Sequence, residues 1–291
     1  MRIAHFTDLH LHRTASWSEL PGKRLLGTVN MTLGRSNHFT DESVEALVEA
    51  VLEQEPDWML CSGDLTAMAT PREFEAARDV LAPLTSRFPF FVVPGNHDAY
   101  TMGSVRDARF VQYFGTWAGD GFPSRHDTDD GFTFIGLDPC RPHLLSSGVV
   151  PSAQLRGLRQ MLDDSALHER FVILLLHYPL RNRRNEAYGP FTRDLRNARE
   201  LEALIADSDC VDLIMHGHEH HGFRAALPTP RKDIPILNPG AGGYAYLPDE
   251  RRTAHFNVYD IGEGVLRGVE RFAFDGSRFV PEAGGAYATG G

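Results

Sequence analysis

The sequence predicts a single layered α/β domain. Two observations carry that expectation. Short apolar runs bounded by polar or turn residues alternate with amphipathic stretches of helical period. Oxygen- and imidazole-bearing residues also recur just past the ends of several of those runs. The bulk composition agrees, because 291 residues at 42% hydrophobic and 23% charged can build an ordinary globular core without staples. No internal repeat or linker divides the chain, so one domain over residues 1–282 is expected, followed by a flexible Gly/Ala-rich tail at 283–291.

The elements follow in order. Buried strands are expected at Arg2–Thr7, Trp58–Ser62, Phe90–Val93, Phe132–Leu137, Phe171–Leu176 and Val211–Met215. Asp41–Glu53 predicts a helix, since Val44, Leu47, Val48, Val51 and Leu52 fall at i, i+3, i+4, i+7 and i+8. Thr70-Pro71-Arg72-Glu73 reads as a helix start, with Thr70 as cap, Pro71 in the first turn and Glu73 closing a capping box. Leu155–Leu162 and Thr192–Ile205 carry similar periodicity. After residue 230 the helices stop, and Pro235–Asn238, His255–Ile261 and Val265–Phe274 read as strands closing a sheet edge. The long connection after His10 breaks the rhythm. A stretch this long is uncommon unless it is functional or disordered, and its mix of Trp, Leu and Lys/Arg favours a structured lid insertion over residues 13–39.

Several function classes fall away. Against 39 Asp+Glu the 29 Lys+Arg leave a net charge of −10, which argues against a general nucleic-acid binder. Cys61, Cys140 and Cys210 form no CxxC pair, a usage that fits a reducing compartment rather than a disulfide scaffold. The longest aliphatic run, Phe171–Leu176, is too short to span a bilayer. A strand starting directly after Met1 leaves no signal peptide, so a cytoplasmic protein is expected.

The chemistry lies at the strand ends. Strand one runs into Asp8-Leu9-His10, strand two into Gly63-Asp64 and strand three into Gly95-Asn96-His97-Asp98. The run at Phe171 meets His177, and the run at Val211 meets Gly217-His218-Glu219-His220. In open α/β sheets the carboxyl edge is where loops converge on a ligand. Asp8, His10, Asp64, Asn96, His177, His218 and His220 are too many donors for one tetrahedral zinc, but they suit two metals sharing a carboxylate. With no thiolate in the set, Mn, Fe, Co, Ni or Zn fit better than soft metals. Such a centre is locally cationic and can hold an anionic phosphate inside an acidic chain.

The ordered set DxH, GD, GNHD, H and GHxH, from Asp8 to His220, resembles the calcineurin-like metallophosphoesterase superfamily. The resemblance implies a four-layer α/β/β/α sandwich. It also implies that Asp8, His10, Asp64 and His220 hold one metal and that Asp64, Asn96, His177 and His218 hold the other, with Asp64 bridging. His97 would contact the phosphate and help protonate the leaving oxygen instead of binding metal. Departures narrow the subfamily. Gly63-Asp64-Leu65-Thr66-Ala67-Met68 lacks the GDxVDRG run of protein Ser/Thr phosphatases, and Asp98 stands where they have Glu. Ala67 stands where purple acid phosphatases place a tyrosine ligand, and His97 where the usual UDP-diacylglucosamine hydrolases have arginine. Bacterial cyclic-nucleotide and glycerophosphodiester phosphodiesterases keep GNHD, so the sequence resembles that group most.

The leading expectation is therefore hydrolysis of phosphate esters, preferentially diesters, by a metal-bridging hydroxide with two divalent transition ions (Mn, Fe, Zn or Co), and with a small phosphate ester as partner. Three alternatives differ in class. One is a nucleotide-sugar lipid pyrophosphate hydrolase, for which the basic and apolar residues 17–37 would touch a membrane surface. Another is a non-catalytic scaffold, which has no need of seven donors. The last is a repair nuclease, whose capping domain after the GHxH motif is missing from this sequence. Arg181, Arg183 and Arg184 follow His177 and read either as a solvated basic turn or as substrate contacts at the rim. Of the remaining candidates, His5 is expected in the core, His216 packed beside the motif, and His12 and His221 exposed. Asp98 would either orient His97 or cap a helix start, and Cys61 has no nucleophile context.

Overall fold

The computed structural model describes residues 1–13, 38–142, 146–187 and 192–282. The expected lid at 13–39, apart from its two ends, and the expected tail at 283–291 lie outside the described residues. Two six-stranded sheets pack face to face. The first contains β1 (Arg2–Phe6), β2 (Trp58–Cys61), β3 (Phe90–Val92), β10 (His255–Gly262), β11 (Val265–Phe274) and β12 (Phe279–Pro281), in spatial order β12-β11-β10-β1-β2-β3. The second contains β4 (Ser124–Asp127), β5 (Phe132–Gly136), β6 (Phe171–Leu175), β7 (Val211–Met215), β8 (Phe223–Pro228) and β9 (Asp233–Asn238), in order β4-β5-β6-β7-β9-β8. The runs β1-β2-β3 and β5-β6-β7-β9 are parallel, and the outer pairs are antiparallel.

Side-chain alternation explains the layering. Successive strand residues point to opposite faces. Ile3, Leu60, Phe91 and Val93 of the first sheet therefore meet Phe134, Ile173, Leu175 and Leu213 of the second in a shared inner core. Their neighbours Ala4, Phe6, Met59 and Val92 face α1 (Asp41–Gln54), α2 (Pro71–Thr85) and α4 (Arg109–Ala118), while α3 (Met102–Arg106) leads into α4. Val172, Leu174 and Ile214 face α5 (Ser152–Leu162) and α6 (Ala198–Ser208). The result is the expected α/β/β/α sandwich. Among the described residues no helix is long and apolar enough to cross a membrane.

Most boundaries match the sequence pattern. Thr70 caps α2 as its motif predicts, with both halves of the capping box formed. One boundary is corrected: α6 begins at Ala198, not near Thr192, because the Asn197 side chain is engaged with both backbone groups of Val150. Asp212 interrupts the alternation of β7, its carboxylate accepting the Val172 N–H (2.8 Å) at a register shift.

The α2 start also ties the structure together near the site. Buried Glu73 accepts the Met68 and Thr70 N–H groups, both at 3.0 Å, and faces His12 Nδ1 at 3.3 Å. Removing it strands two backbone donors at a buried position. Glu73→Ala is expected to lower the unfolding free energy by about 2–3 kcal/mol, read from urea denaturation; a change below about 0.5 kcal/mol would show that the stitch contributes nothing.

Candidate metal centre

Each donor loop turns back on itself just past its strand. Asp8, His10, Asp64, His218 and His220 adopt left-handed backbone, with φ of 55°, 50°, 56°, 72° and 59°. For non-glycine residues that conformation costs about 1–2 kcal/mol each. It is enforced by bonds between loops: the Asp8 N–H donates to Gly63 O (2.9 Å), His10 to Asp64 O (3.0 Å) and Gly217 to His177 O (3.0 Å). The His218 N–H donates to Asp8 Oδ2 at 3.0 Å. Gly95 allows the loops after β2 and β3 to touch, since a Cβ there would lie 2.0 Å from Asp64 Oδ1.

The side chains converge. Asp8, His10, Asp64 and His220 each present one ligand atom within 4.8 Å of the others. His10 Nε2 and His220 Nε2 face each other at 3.0 Å, and Asp8 Oδ1 lies 3.6 and 3.3 Å from them. That oxygen is buried and has no hydrogen-bond donor. Asn96 Oδ1 lies 3.1 Å from His177 Nε2 and 2.9 Å from His218 Nδ1. Asp64 Oδ2 faces both groups, 3.6 Å from His10 Nε2 and 3.3 Å from His177 Nε2. All seven residues expected from the sequence are thus brought to one place.

Tautomers follow from the partners, because a carbonyl oxygen can only accept. His177 Nδ1 donates to Ser62 O (2.8 Å), His218 Nε2 to Arg193 O (3.1 Å) and His97 Nδ1 to Ala67 O (2.6 Å). The first two rings therefore turn their other nitrogen inward, the orientation a metal needs. Burial lowers His10 to about 4 and takes His218 well below its ordinary value. Burial also opposes charge on His177, but the Asp64 and Asp8 carboxylates outweigh it and raise that ring to about 9. Despite burial, the surrounding histidines hold the Asp8 and Asp64 carboxyls below their usual range.

His97 stands apart. Its N–H donates to Asp64 Oδ1 at 2.7 Å, its ring meets His10 edge-on at 4.6 Å, and it lines a cavity of about 490 Å³ over the cluster. Asp98 does not touch His97 through its side chain. Its buried carboxylate accepts from Gly95 N (2.9 Å), Leu65 N (3.3 Å), Thr66 N (3.0 Å) and Thr66 Oγ1 (2.9 Å), joining the loops after β2 and β3.

Other candidates settle elsewhere. Arg181 pairs with Glu202 (2.8 Å), Arg183 and Arg184 lie on an exposed turn, and none of the three lines the cavity. Arg193 and Arg252 do line it, together with Phe39, Tyr100 and Tyr244, none of which sequence reasoning singled out. They stand in no donor motif, and only tertiary pairing places them. His5 is buried between Ser62 Oγ and Tyr259 OH, and His216 is buried against Phe223. His12 is partly covered, and His221 lies beside Tyr244. Cys61 is a buried core residue whose thiol burial pushes up.

Comparison with known proteins agrees with this geometry. The family model "Calcineurin-like phosphoesterase" matches residues 1–222. The chain is 25% identical over 225 residues, 77% of its length and 73% of the relative, to a probable cyclic nucleotide phosphodiesterase of Pseudoalteromonas sp. (strain SM9913). It is 23% identical over 225 residues, 76% of its length and 71% of the relative, to the glycerophosphodiester phosphodiesterase GpdQ of Enterobacter lignolyticus (strain SCF1). A dimetal phosphatase from Danio rerio shares the fold at a TM-score of 0.63 and 13% identity, over 96% of this chain and 98% of the other.

The Asp98 contacts generate a test of how the loops are held. Asp98→Ala leaves four buried donors unpaired beside Asp64 and is expected to cost about 3 kcal/mol of stability in denaturant unfolding. Asp98→Asn, which keeps one acceptor oxygen, should cost less; equal losses in both would mean that the carboxylate is not the clamp.

Proposed function

Because this chain belongs to the calcineurin-like phosphoesterase family, we propose that it hydrolyses phosphate diesters at the convergent cluster, with His97 serving the leaving oxygen. The chain is a metal-dependent phosphoesterase. The observation behind a two-metal centre is Asp64 Oδ2, one carboxylate oxygen facing two separate donor groups at 3.6 and 3.3 Å.

The donors fit two metals. Asp8, His10, Asp64 and His220 would hold one, and Asp64, Asn96, His177 and His218 the other. The buried Asp8 Oδ1 without a donor and the two facing Nε2 atoms at 3.0 Å are what a cation between them would satisfy. Two such ions supply Lewis acidity toward a phosphoryl group and acidify a water near it.

The chain's own groups do the rest. With its Nδ1 proton fixed on Ala67 O, His97 keeps Nε2 as the exchangeable end for a proton passed to a leaving alkoxide. Burial lowers its pKa, which makes the protonated ring a stronger acid while thinning its population near neutrality. Its backbone N–H on Asp64 ties that acid to the bridging carboxylate. Arg193 and Arg252 on the cavity wall are placed to meet a second polar or anionic group of a substrate. Support for diesters comes from the relatives, one named for cyclic nucleotides and one for glycerophosphodiesters.

Two outcomes test this. Purified protein should carry up to two transition ions per chain by elemental analysis. Asp64→Ala should deplete both positions, whereas Asp8→Ala should spare the second. Metal-free protein hydrolysing bis(p-nitrophenyl) phosphate at the parent rate would end the reading, and so would a clear preference for the monoester.

The second outcome concerns His97. His97→Ala should keep its metal but lose about 10²–10⁴ in kcat on diesters with alkoxide leaving groups. The loss should shrink for nitrophenolate, which hardly needs a proton; an equal loss on both would remove the proton-donor role.

A further inference from the structure

His97, His177 and His218 fix their outer ring nitrogens on backbone carbonyls, whereas His220 uses a side chain: its Nδ1 lies 3.1 Å from the Tyr244 hydroxyl. Tyr244 is buried and stands beyond residue 222, where the family match ends. Two backbone bonds pair its loop with the segment before α1, Thr40 N–H to Gly243 O (3.0 Å) and Ala245 N–H to His38 O (2.9 Å). That pairing seats Phe39 against the rings of His10 (4.3 Å), His220 (5.4 Å) and Tyr244 (4.8 Å). The same loop grips the donor turns themselves: Ala241 N–H donates to His220 O (3.1 Å), and Gly242 N–H to Thr7 O (2.8 Å). Its approach is so close that a Cβ on Gly243 would lie 2.1 Å from Leu9 O. From outside, the Arg252 guanidinium covers the Tyr244 ring at 5.3 Å.

We propose that Tyr244 is a positioning residue for one of the two metal positions only, that of Asp8, His10, Asp64 and His220. This deepens the metal reading above and rests on it. The Tyr244 hydroxyl accepts the Nδ1–H of His220, so that Nε2 keeps its lone pair toward Asp8 Oδ1, 3.3 Å away. An imidazole protonated at Nε2 cannot ligate through that nitrogen, the one His220 turns toward Asp8, and without an outer acceptor the proton distributes over both nitrogens. Phe39, seated by the same pairing, holds the ring planes of His10 and His220. The other position is independent of this loop, because His177 and His218 are set by Ser62 O and Arg193 O.

The test strips parent protein, Tyr244→Phe and Phe39→Leu with chelator and titrates each with Mn²⁺ by calorimetry. In Tyr244→Phe one binding step is expected to weaken about 10–100-fold, the usual effect of losing a partner of a ligating histidine. The other step should shift less than about twofold, KM at saturating Mn²⁺ should hold, and kcat should recover as Mn²⁺ is raised. Two unchanged steps, or equal weakening of both, overturn the assignment, the second because it marks general loosening. Should Tyr244→Phe fail to fold, Phe39→Leu decides by the same criterion of one weakened step. A parent protein that binds no Mn²⁺ strikes the metal reading itself, which separates that failure from the failure of the Tyr244 role.

Discussion

Everything at the centre of this molecule is organised around the Asp64 carboxylate. It leaves the end of a strand in the first sheet, and its Oδ2 reaches His177 at the end of a strand in the second, 3.3 Å away. Its other oxygen takes the His97 N–H at 2.7 Å. One side chain therefore joins the two sheets, the two donor groups and the residue offered as proton donor. Sheets packed through an apolar inner core can slide by a fraction of a residue at modest cost. A fully buried carboxylate whose two oxygens are committed in different directions cannot follow such a slide without losing a partner. The apolar core sets how far apart the sheets lie, and Asp64 ties their registry at the carboxyl edge together with the His177 Nδ1–Ser62 O (2.8 Å) and His218 N–Asp8 Oδ2 (3.0 Å) bonds.

The backbone around Asp64 is held against its own preference. Asp8, His10, Asp64, His218 and His220 all stand in left-handed conformation, and hydrogen bonds between the loops keep them there. Continued in β geometry, Asp8 and His10 would share a face but stand about 7 Å apart along the strand, since each residue advances about 3.3 Å. Left-handed residues after the strand turn the chain sharply instead, so both side chains reach one point. The strain is therefore the geometric cost of drawing i and i+2 donors together, and it is borne by the packed sandwich behind the loops.

The strands of the inner core were legible because burial on both faces writes continuous apolar runs, as in Phe171–Leu176, and the donor motifs were legible because they sit directly after those runs. Thr70 and Glu73 were legible for a local reason, a cap whose partners lie three residues apart. What escaped has the opposite character. Edge strand β4 reads Ser-Arg-His-Asp and carries no apolar signal at all. The periodicity at 192–197 is helical in spacing, yet Asn197 is diverted to Val150, far away in sequence. Phe39, Tyr244, Arg193 and Arg252 reach the cavity only through pairing between segments about two hundred residues apart or through turns with no motif, as in the bridge of Phe39 to Tyr244. Arg181, the sequence's own candidate, shows the same limit, since nothing near it announces its pairing with Glu202.

The charge of the cluster bears on whether the site is functional or a relic within a binding platform. Asp8 and Asp64 are buried, and among the described residues their ion-pair partners are histidines only. Two buried carboxylates paired only with histidines among the described residues are expensive, and apolar residues of similar volume would serve a scaffold as well or better. The histidines do not solve this alone. Burial holds His10 and His218 neutral near physiological pH, and His177 alone is pushed toward its charged form. The His177 imidazolium cannot by itself balance two carboxylates, and His10 Nε2 and His220 Nε2 crowd each other at 3.0 Å beside them. The Asp8 oxygen without a donor and the five left-handed turns are unfavourable taken singly. A cation between the donors would satisfy that oxygen and draw in both Nε2 atoms, and its binding would offset the strain of the turns. The arrangement therefore fits a working metallophosphoesterase rather than a fold that has kept only its shape.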